Sequence, residues 1–290
     1  MGRTAEGPCD AGCVTGLPST TLSNGMHAEM RFSGDGGYQL VVDGTPQSHV
    51  DPERPQLLVY EYVQRIGHVL DAMRPGPLTA LHLGAGALTL PRYVAATRPG
   101  SRQQVIELEP GIVEIVREVA PLPREASIRI RYGDARAVLE RLPAGLTGAC
   151  DLVVVDVFAG SQTPAHVTSL EFHERLRALL APGGVLCVNL ADGRELRFVR
   201  SQLATLAHVH AHLAAIADTG FLKGRRYGNL VAVASDEPLR LDGVPAALQR
   251  DPWPAKVVEG DELRRFASSG AIVTDATALP SPPPSRSVFG

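Results

Sequence analysis

The fold of this chain is decided by Leu78-Thr79-Ala80-Leu81-His82-Leu83, a run that is followed directly by Gly84-Ala85-Gly86. The apolar run predicts a buried parallel strand. The two glycines can adopt positive φ and let the backbone approach a ligand closely. Residues 88–98 predict the helix that follows. A strand, a Gly-x-Gly turn and a helix build a nucleotide-binding turn, although Thr89 stands where a dinucleotide fingerprint has its third glycine.

Predicted strands and helices alternate after this turn. The strands are expected at 104–108, 128–132, 152–156 and 185–190, and the helices at 110–119, 135–142, 168–180 and 194–206. Such alternation predicts an α/β fold with a doubly wound, mostly parallel sheet and right-handed crossovers. Two further β-like runs, 208–216 and 229–235, have no helix between them. They predict an antiparallel pair at the edge of the sheet.

The N-terminal part of the chain predicts two smaller units. Residues 1–30 show no hydrophobic period and predict a disordered or loosely packed arm. Residues 31–56 predict a small β-hairpin domain, because the alternating run from Tyr38 breaks at Asp43-Gly44, a dipeptide that favours a type I′ turn.

The main α/β domain is expected over residues 57–235 and opens with an amphipathic helix within 57–73. Residues 236–279 predict a C-terminal extension that contains a helix near 261–268. Residues 280–290 are rich in proline and predict a disordered tail.

The composition bounds the functional classes. The chain has 290 residues, 44% of them hydrophobic, which is enough to bury a sizeable core. Its formal net charge of −3 provides no basic field for nucleic acid or an anionic membrane. No apolar stretch reaches the roughly 20 residues that span a bilayer, and the N-terminus lacks a signal-peptide pattern. We therefore expect a cytoplasmic protein with no nucleic-acid or membrane partner.

Neither the cysteines nor the histidines predict a metal centre. Cys9 and Cys13 lack a second Cys/His pair at ligand spacing, and Cys150 and Cys187 fall in predicted core strands. Three histidines alternate along one predicted strand face without a partner acid, and a half-exposed edge strand explains them more simply: His208, His210 and His212. No metal is expected.

Acidic residues end three successive predicted strands. Glu107 ends the second strand about 23 residues after Gly84, near the spacing at which a carboxylate binds ribose hydroxyls. Asp134 follows the third strand, and Asp156 ends the fourth. Asp134 could instead only cap the next helix, and Glu109 could face solvent. Taken together after a glycine turn, the acids predict a nucleoside pocket.

Several motifs, in this order, resemble the spermidine synthase family over about residues 35–235. They are Leu40-Val-Val-Asp-Gly-Thr-Pro-Gln47, Tyr60-Glu61-Tyr62, Leu83-Gly-Ala-Gly86, Glu107, Gly133-Asp134, Asp156, Pro182-Gly-Gly-Val-Leu and, later, Thr274-Asp275. The resemblance implies a seven-stranded methyltransferase-like sheet with an N-terminal β-domain. It also implies a homodimer or larger homo-oligomer and a small-molecule acceptor.

The resemblance further implies a co-substrate, S-adenosylmethionine or its decarboxylated form. In the family pattern Gln47 would contact the nucleoside, Glu107 the ribose and Asp134 the adenine amino group. Asp156 would accept the proton of the attacking amine. The other positions expected around the co-substrate are Gly84, Ala85, Gly86, Leu108, Gly133 and Ala135. The positions expected on the acceptor side are Tyr60, Glu61, Phe158, Arg225 and Tyr227.

Three positions depart from the family pattern. Ala87 occupies the position of the glycine-loop acid that binds the propylamine group in the family. Ala159 occupies the position of a second acid after Asp156, and Val59 that of an acceptor-side tyrosine. The basic loop 223–227 would favour a carboxylate if it faces the pocket, and otherwise is a solvated turn. Three functions therefore remain open. They are transfer of an aminopropyl-type group to an amine or other nucleophile, methyl transfer, and nucleoside binding by a catalytically silent relative. A nicotinamide oxidoreductase is the weakest alternative.

Overall fold

The computed structural model of the chain describes residues 16–284. The predicted alternation of strands and helices is present in its central region. In chain order the elements are β1 (Ser19–Thr21), β2 (His27–Phe32), β3 (Tyr38–Val42), β4 (Thr45–Val50), α1 (Glu61–Ala72), β5 (Thr79–Leu83), α2 (Thr89–Thr97), β6 (Arg102–Glu107), α3 (Pro110–Val119), β7 (Ser127–Tyr132), α4 (Ala135–Leu139), β8 (Cys150–Val155), α5 (Leu170–Leu179), β9 (Leu180–Asp192), α6 (Arg197–Val209), β10 (His212–Ala217), α7 (Thr219–Leu222), β11 (Gly228–Ser235), α8 (Val244–Leu248), β12 (Lys256–Glu259) and α9 (Gly260–Ala267).

The central sheet has the strand order β7-β6-β5-β8-β9-β11-β10-β12. The strands from β7 to β9 are parallel, whereas β11, β10 and β12 join by antiparallel pairing. The doubly wound, mostly parallel α/β sheet is thus confirmed, and so is the antiparallel pairing of β10 with β11, but β12 rather than this pair forms the edge. The chain leaves β5 toward β6 on one side and later returns to β8 on the other. A crevice therefore forms at the carboxyl ends of β5 and β8, where ligands bind in such sheets.

The sheet has eight strands rather than the expected seven. The additional strand is β12, which pairs with Ala214–Ala217 of β10. Only four residues long, β12 carries too short an apolar pattern to be distinguished from a loop in the sequence. By pairing with β10 it covers an edge that would otherwise expose unpaired backbone groups.

The N-terminal region is a separate four-stranded antiparallel sheet in the order β1-β2-β3-β4. The turn at Asp43-Gly44 has positive φ at both residues, as the type I′ signal predicts. The predicted arm over 1–30 is wrong from Ser19 onward, because β2 alternates buried Ala28 and Met30 with polar residues and packs against α3. Residues 1–15, with Cys9 and Cys13, lie outside the described residues.

Helices cover both faces of the central sheet, because successive side chains of a strand point to opposite sides. Leu81 and Leu83 of β5 lie in the core cluster shared with α5 and α6, whereas Ala80 lies in the cluster shared with α1. A third cluster joins the N-terminal sheet to the glycine loop and to α3. Within residues 16–284, no helix is long and apolar enough to cross a membrane.

The predicted extension over 236–279 is integrated with the main domain. β12 joins the sheet, α9 contacts α6, and the segment that follows α9 is hydrogen-bonded to the first turn of α5 and to α6. Val273 accepts a backbone hydrogen bond from Leu170, and its own N–H binds the Thr205 hydroxyl. Ser281 is fully buried and pairs with Thr163, so the predicted disordered tail over 280–290 is wrong at its start. Residues 285–290 lie outside the described residues.

The boundary between α6 and β10 also differs from the prediction. Leu203, Leu206 and Val209 continue the helical period into the core, so the helix ends later than residue 206. His208 therefore lies on α6, His210 follows it as the C-cap, and His212 starts β10. The three histidines do not share one strand face.

Candidate functional site

A cavity opens at the carboxyl ends of β5, β6, β7 and β8, below the N-terminal sheet. The described residues that line it from the main domain are Tyr62, Gly84, Gly86, Ile106, Glu107, Leu108, Glu109, Ile112, Gly133, Asp134, Ala135, Asp156, Val157, Phe158, Ala159, Gly160, Pro164 and His166. Those from the N-terminal region are Leu22, Asn24, Met26, Leu40, Val42 and Gln47. Ten residues predicted for the site thus come together here, and Ala85 lies in the glycine loop itself.

The glycine loop after β5 depends on two glycines. Gly84 has φ 90°, and a Cβ at this position would collide with the carbonyl oxygen of Asp156. Gly86 has φ 48° and lies against Ser48 of β4. Both positions therefore need a residue without a side chain, since the loop turns sharply and passes close to neighbouring backbone.

Glu107 ends β6 and fixes the shape of this loop. One carboxylate oxygen accepts a hydrogen bond from Ala85 N (2.8 Å), and the other accepts from Glu109 N (2.9 Å). Burial raises the pKa of Glu107, and the backbone N–H groups that point at the carboxylate oppose this. Each oxygen keeps a second lone pair for a ligand, which is what binding of ribose hydroxyls requires.

Asp134 both caps a helix and lines the cavity. Its Oδ1 accepts from Ala137 N (2.9 Å) and caps α4, while its Oδ2 lies 2.6 Å from Nε2 of His166 at the cavity wall. Burial raises the pKa of Asp134, but the bonds from Ala137 and His166 outweigh it and hold the pKa below its usual range. The capping function and a position in the pocket are therefore compatible.

Asp156 follows β8 and lies beside two residues that the sequence interpretation did not assign. Its Oδ1 accepts a hydrogen bond from Asn189 Nδ2 (2.8 Å), and the Tyr62 hydroxyl contacts the carboxylate. Asn189 in turn accepts from Asn229 Nδ2 (2.9 Å). Burial raises the pKa of Asp156, and the contacts with Asn189 and Tyr62 lower it in part. A carboxylate with a raised pKa is suited to accept a proton.

The sequence could have indicated Asn189 as a site residue, because it is a polar residue inside a predicted buried strand. The signal for Tyr62 was weaker, since Tyr60 and Tyr62 stand close together at the start of α1. Tyr60 is the N-cap residue and packs against the core cluster below α1, whereas Tyr62 reaches the cavity. The orientation of the first turn of α1 decides which of the two tyrosines reaches the cavity, and the sequence alone does not show this orientation.

The predicted acceptor-side residues are only partly brought together. Phe158 lines the cavity. Among the residues that the structure describes there, Tyr60, Glu61, Arg225 and Tyr227 are not part of the lining. The Tyr227 hydroxyl instead donates to the carbonyl of Ser161 (3.3 Å), in the loop that follows Asp156.

The basic loop after α7 does not supply the cavity with positive charge. Arg225 is exposed, and Arg226 forms ion pairs with Glu61 (3.0 Å) and with Asp218. Glu61 also pairs with the buried Arg65 (3.0 Å). Of the two alternatives for this loop, the structure therefore favours the solvated turn, because Arg226 is already paired with two acids and Arg225 is exposed.

The three departures from the family pattern have different surroundings. Ala87 is fully buried in the cluster between the N-terminal sheet and α3. Ala159 is exposed and lines the cavity next to Phe158. Val59 is partly buried and is not part of the cavity wall as described in residues 16–284.

The cavity is acidic. Four carboxylates line it, those of Glu107, Glu109, Asp134 and Asp156, and the described lining contains no lysine or arginine. His166 is the one basic side chain among the lining residues described. Such a site attracts a cation. In residues 16–284 there is no group of three or more Asp, Glu, His or Cys side chains arranged to hold a metal ion.

Comparison with known proteins identifies the family. No family model matches the chain. The solved structure of a probable spermidine synthase from Corynebacterium glutamicum has a TM-score of 0.81 and 32% identity, with 89% of this chain and 96% of that one covered. The chain belongs to the spermidine synthase-like family. This family member is thus part of a superfamily of transferases with the methyltransferase-like fold.

Two other proteins resemble this chain more distantly. A polyamine aminopropyltransferase from Vibrio vulnificus is 31% identical over 116 residues, which is 40% of this chain and 38% of that protein. This family member therefore matches about four-tenths of the length of that curated relative. A spermidine synthase in complex with the transition-state analogue AdoDATO is 13% identical with a TM-score of 0.57, which shows the fold alone.

Proposed function

We propose that the cavity binds an S-adenosyl sulfonium and that the protein transfers an alkyl group of the aminopropyl type to an amine. One observation carries the proposal: Asp156, held by Asn189, lies in a cation-attracting cavity directly beside the glycine loop. Membership of the spermidine synthase-like family supports it.

The nucleoside end of the ligand would lie over the glycine loop. The two oxygens of Glu107 are presented for the ribose, since backbone N–H groups already fix the carboxylate. Asp134 and Gln47 both line the cavity, and in this proposal Asp134 would bind the adenine amino group while Gln47 would contact the nucleoside from the N-terminal sheet. The four carboxylates of the cavity would stabilise the positive sulfur.

The chemical step is a substitution at the carbon bonded to the sulfonium. The lone pair of the amine forms the new C–N bond while the C–S bond breaks, and sulfur keeps the electron pair and becomes a neutral thioether. The amine must be deprotonated to attack, so its proton passes to Asp156. The main contribution of the protein is alignment of the two reactants.

The charge of the cavity favours the decarboxylated donor. Intact S-adenosylmethionine brings a carboxylate, for which the described lining offers no lysine or arginine. The decarboxylated form has one more net positive charge and is attracted more strongly. Methyl transfer from intact S-adenosylmethionine is the second candidate, because fully buried Ala87 supplies no acid for a propylammonium group.

Calorimetric titration with both sulfonium ligands and with methylthioadenosine distinguishes these functions. We expect the decarboxylated ligand to bind about tenfold more tightly than the intact one. The reverse preference would favour methyl transfer. Asp156→Asn should still bind the ligand, since three carboxylates of the cavity remain, but should lower turnover with an amine by about a hundredfold or more. Binding of the ligand without turnover of any amine by the unaltered protein would instead favour a silent nucleoside-binding relative.

A further inference from the structure

A small cavity lies under the glycine loop, between α1, β5 and the start of α2. It shares Tyr62, Gly84, Gly86 and Asp156 with the wall of the candidate site. The centre of a water molecule can occupy about 20 Å³ of it, which suffices for one water. We propose that this cavity binds one water molecule, which donates hydrogen bonds to Nδ1 of His82 and to the carboxylate of Asp156.

His82, which lines this cavity, presents a buried acceptor that lacks a donor. Its Nε2 lies 2.9 Å from Oε1 of Gln103, and Gln103 Nε2 donates to the carbonyl of Pro91 (2.9 Å). A carbonyl oxygen only accepts, so the amide oxygen of Gln103 faces the imidazole. Burial lowers the pKa of His82 to about 4, so the ring is neutral and carries its proton on Nε2. Nδ1 is therefore a bare lone pair, and it has no hydrogen-bond partner among the described residues.

The side-chain donors around this cavity are already used. The Thr89 hydroxyl donates to the carbonyl of His49, so the Ser48 hydroxyl, 3.2 Å away, donates to Thr89. The Tyr62 hydroxyl contacts the carboxylate of Asp156, to which it can only donate. The other side chains of the described lining are apolar. The bare imidazole nitrogen therefore needs a donor from outside the protein, and water is the donor that fits a cavity of this size.

The second proton of the water is directed to Asp156. A carboxylate is the strongest acceptor in this cavity, because hydrogen bonds to an ionised group are stronger than those between neutral groups. Such a donor adds to the bond from Asn189 and lowers the pKa of Asp156. His82 is thus a positioning residue, which orients a water that helps to keep the base ionised. This role in the reaction rests on the proposed function, whereas the water site does not.

The other titratable groups around Asp156 stay the same when His82 is changed. In the small cavity the only further one in the described lining is Tyr62 of α1, and burial raises its pKa well above the ordinary value. On the side of the candidate site they are Glu107, Glu109, Asp134 and His166. A change in the pKa of Asp156 on substitution of His82 therefore reports on the small cavity.

Two variants of similar shape test the proposal. His82→Asn places an amide oxygen where Nδ1 lies and keeps an acceptor for the water, whereas His82→Leu has none. Both lose the bond to Gln103, so a purely structural role predicts equal effects. In a ¹³C NMR titration of the ligand-free protein, we expect the pKa of Asp156 to lie about half a unit higher in His82→Leu than in His82→Asn. Equal pKa values in the two folded variants would overturn the proposal.

A high-resolution crystal structure of the unaltered protein provides a test that needs no variant. We expect one ordered water within about 3.2 Å of both His82 Nδ1 and a carboxylate oxygen of Asp156. A cavity without water, or a water that reaches only one of the two groups, would also overturn the proposal.

These measurements separate failure of this proposal from failure of the proposed function, because neither needs a sulfonium ligand or an amine. If the water and the pKa difference are found but no amine is turned over, the proposed function fails and the water site stands. If an amine is turned over, the acidic limb of the kcat/KM profile should shift to higher pH in His82→Leu and not in His82→Asn. An identical limb in both variants would refute the positioning role of His82.

Discussion

Asn189 Nδ2 donates a hydrogen bond of 2.8 Å to Oδ1 of Asp156, across the carboxyl ends of β9 and β8. Asn189 is itself held by Asn229 on β11. These two hydrogen bonds therefore fix the orientation of the Asp156 carboxylate before any ligand binds. Preorganisation of this kind avoids reorganisation during the reaction.

Removal of Asn189 should move the pH dependence of activity. The bond from Asn189 lowers a pKa that burial has raised, so Asn189→Ala raises the pKa of Asp156 further. The base works only when it is ionised, so the acidic limb of the kcat/KM profile should shift to higher pH, by about one unit. Asn229→Ala acts one bond further away and should shift it less. An acidic limb that stays in place in Asn189→Ala would contradict the assignment.

Two substitutions at Asp134 should separate capping from ligand binding. Asp134→Ala removes the cap of α4 and should lower the free energy of unfolding by about 1 kcal/mol. Asp134→Asn keeps a good cap and should be nearly as stable as the unaltered protein. Both lose the negative charge and should bind the sulfonium about tenfold more weakly in calorimetry. Full affinity in Asp134→Asn would exclude the carboxylate from the binding site.

Arg65 is a buried cation whose removal should destabilise the fold. Its guanidinium donates to the carbonyl of Asn229 (2.7 Å) and pairs with Glu61 (3.0 Å). Arg65→Met leaves the carbonyl of Asn229 without this donor and Glu61 with Arg226 alone, and should cost about 1–3 kcal/mol in chemical denaturation. The double variant with Glu61→Gln should cost less than the sum of the two single changes. Additive costs would show that the pair is not coupled.

Ser281 should stabilise the loop 157–164, which lines the cavity. Its hydroxyl accepts from Thr163 N (2.8 Å), and both residues are buried. Ser281→Ala leaves this N–H without a partner, at a cost of about 1–3 kcal/mol. We expect faster proteolysis within 157–164 and a higher KM for the amine. Ser268→Ala, at the exposed end of α9, is the control, and equal proteolysis of the two variants would refute the prediction.

Two buried histidines should make the protein less stable in mild acid. Burial lowers the pKa values of His82 and His173 to about 4. Between the ordinary value near 6.5 and about 4, the unfolded chain binds protons that the folded chain does not, so the free energy of unfolding falls as pH falls. The maximal slope is about 1.4 kcal/mol per pH unit for each histidine. His82→Gln should flatten the curve measured by denaturation from pH 7 to pH 4. An unaltered slope would show that His82 is not responsible.

Much of the fold could be predicted because its signals are local. The apolar run from Leu78, the glycine loop and the turn at Asp43-Gly44 each specify a conformation within a few residues, and the structure agrees with them. That Glu107, Asp134 and Asp156 lie around one cavity could also be predicted, since each follows or ends a strand and the carboxyl ends of parallel strands lie together.

The remaining features depend on contacts between distant parts of the chain. β12 is defined by its partner β10 rather than by its own short sequence. The choice of Tyr62 over Tyr60 depends on how α1 is oriented toward the cavity. The charge pairing of Arg226 in the basic loop depends in part on Glu61, which lies 165 positions away in the sequence. Sequence periodicity contains no information on such pairs.

The bond between Ser281 and Thr163 joins residues 118 positions apart. During synthesis, the glycine loop, Glu107 and Asp156 all leave the ribosome long before Ser281 does. A nascent chain can therefore assemble the carboxylates of the site while the loop beside them still lacks its last anchor. The order of translation makes this loop the final part of the cavity to mature.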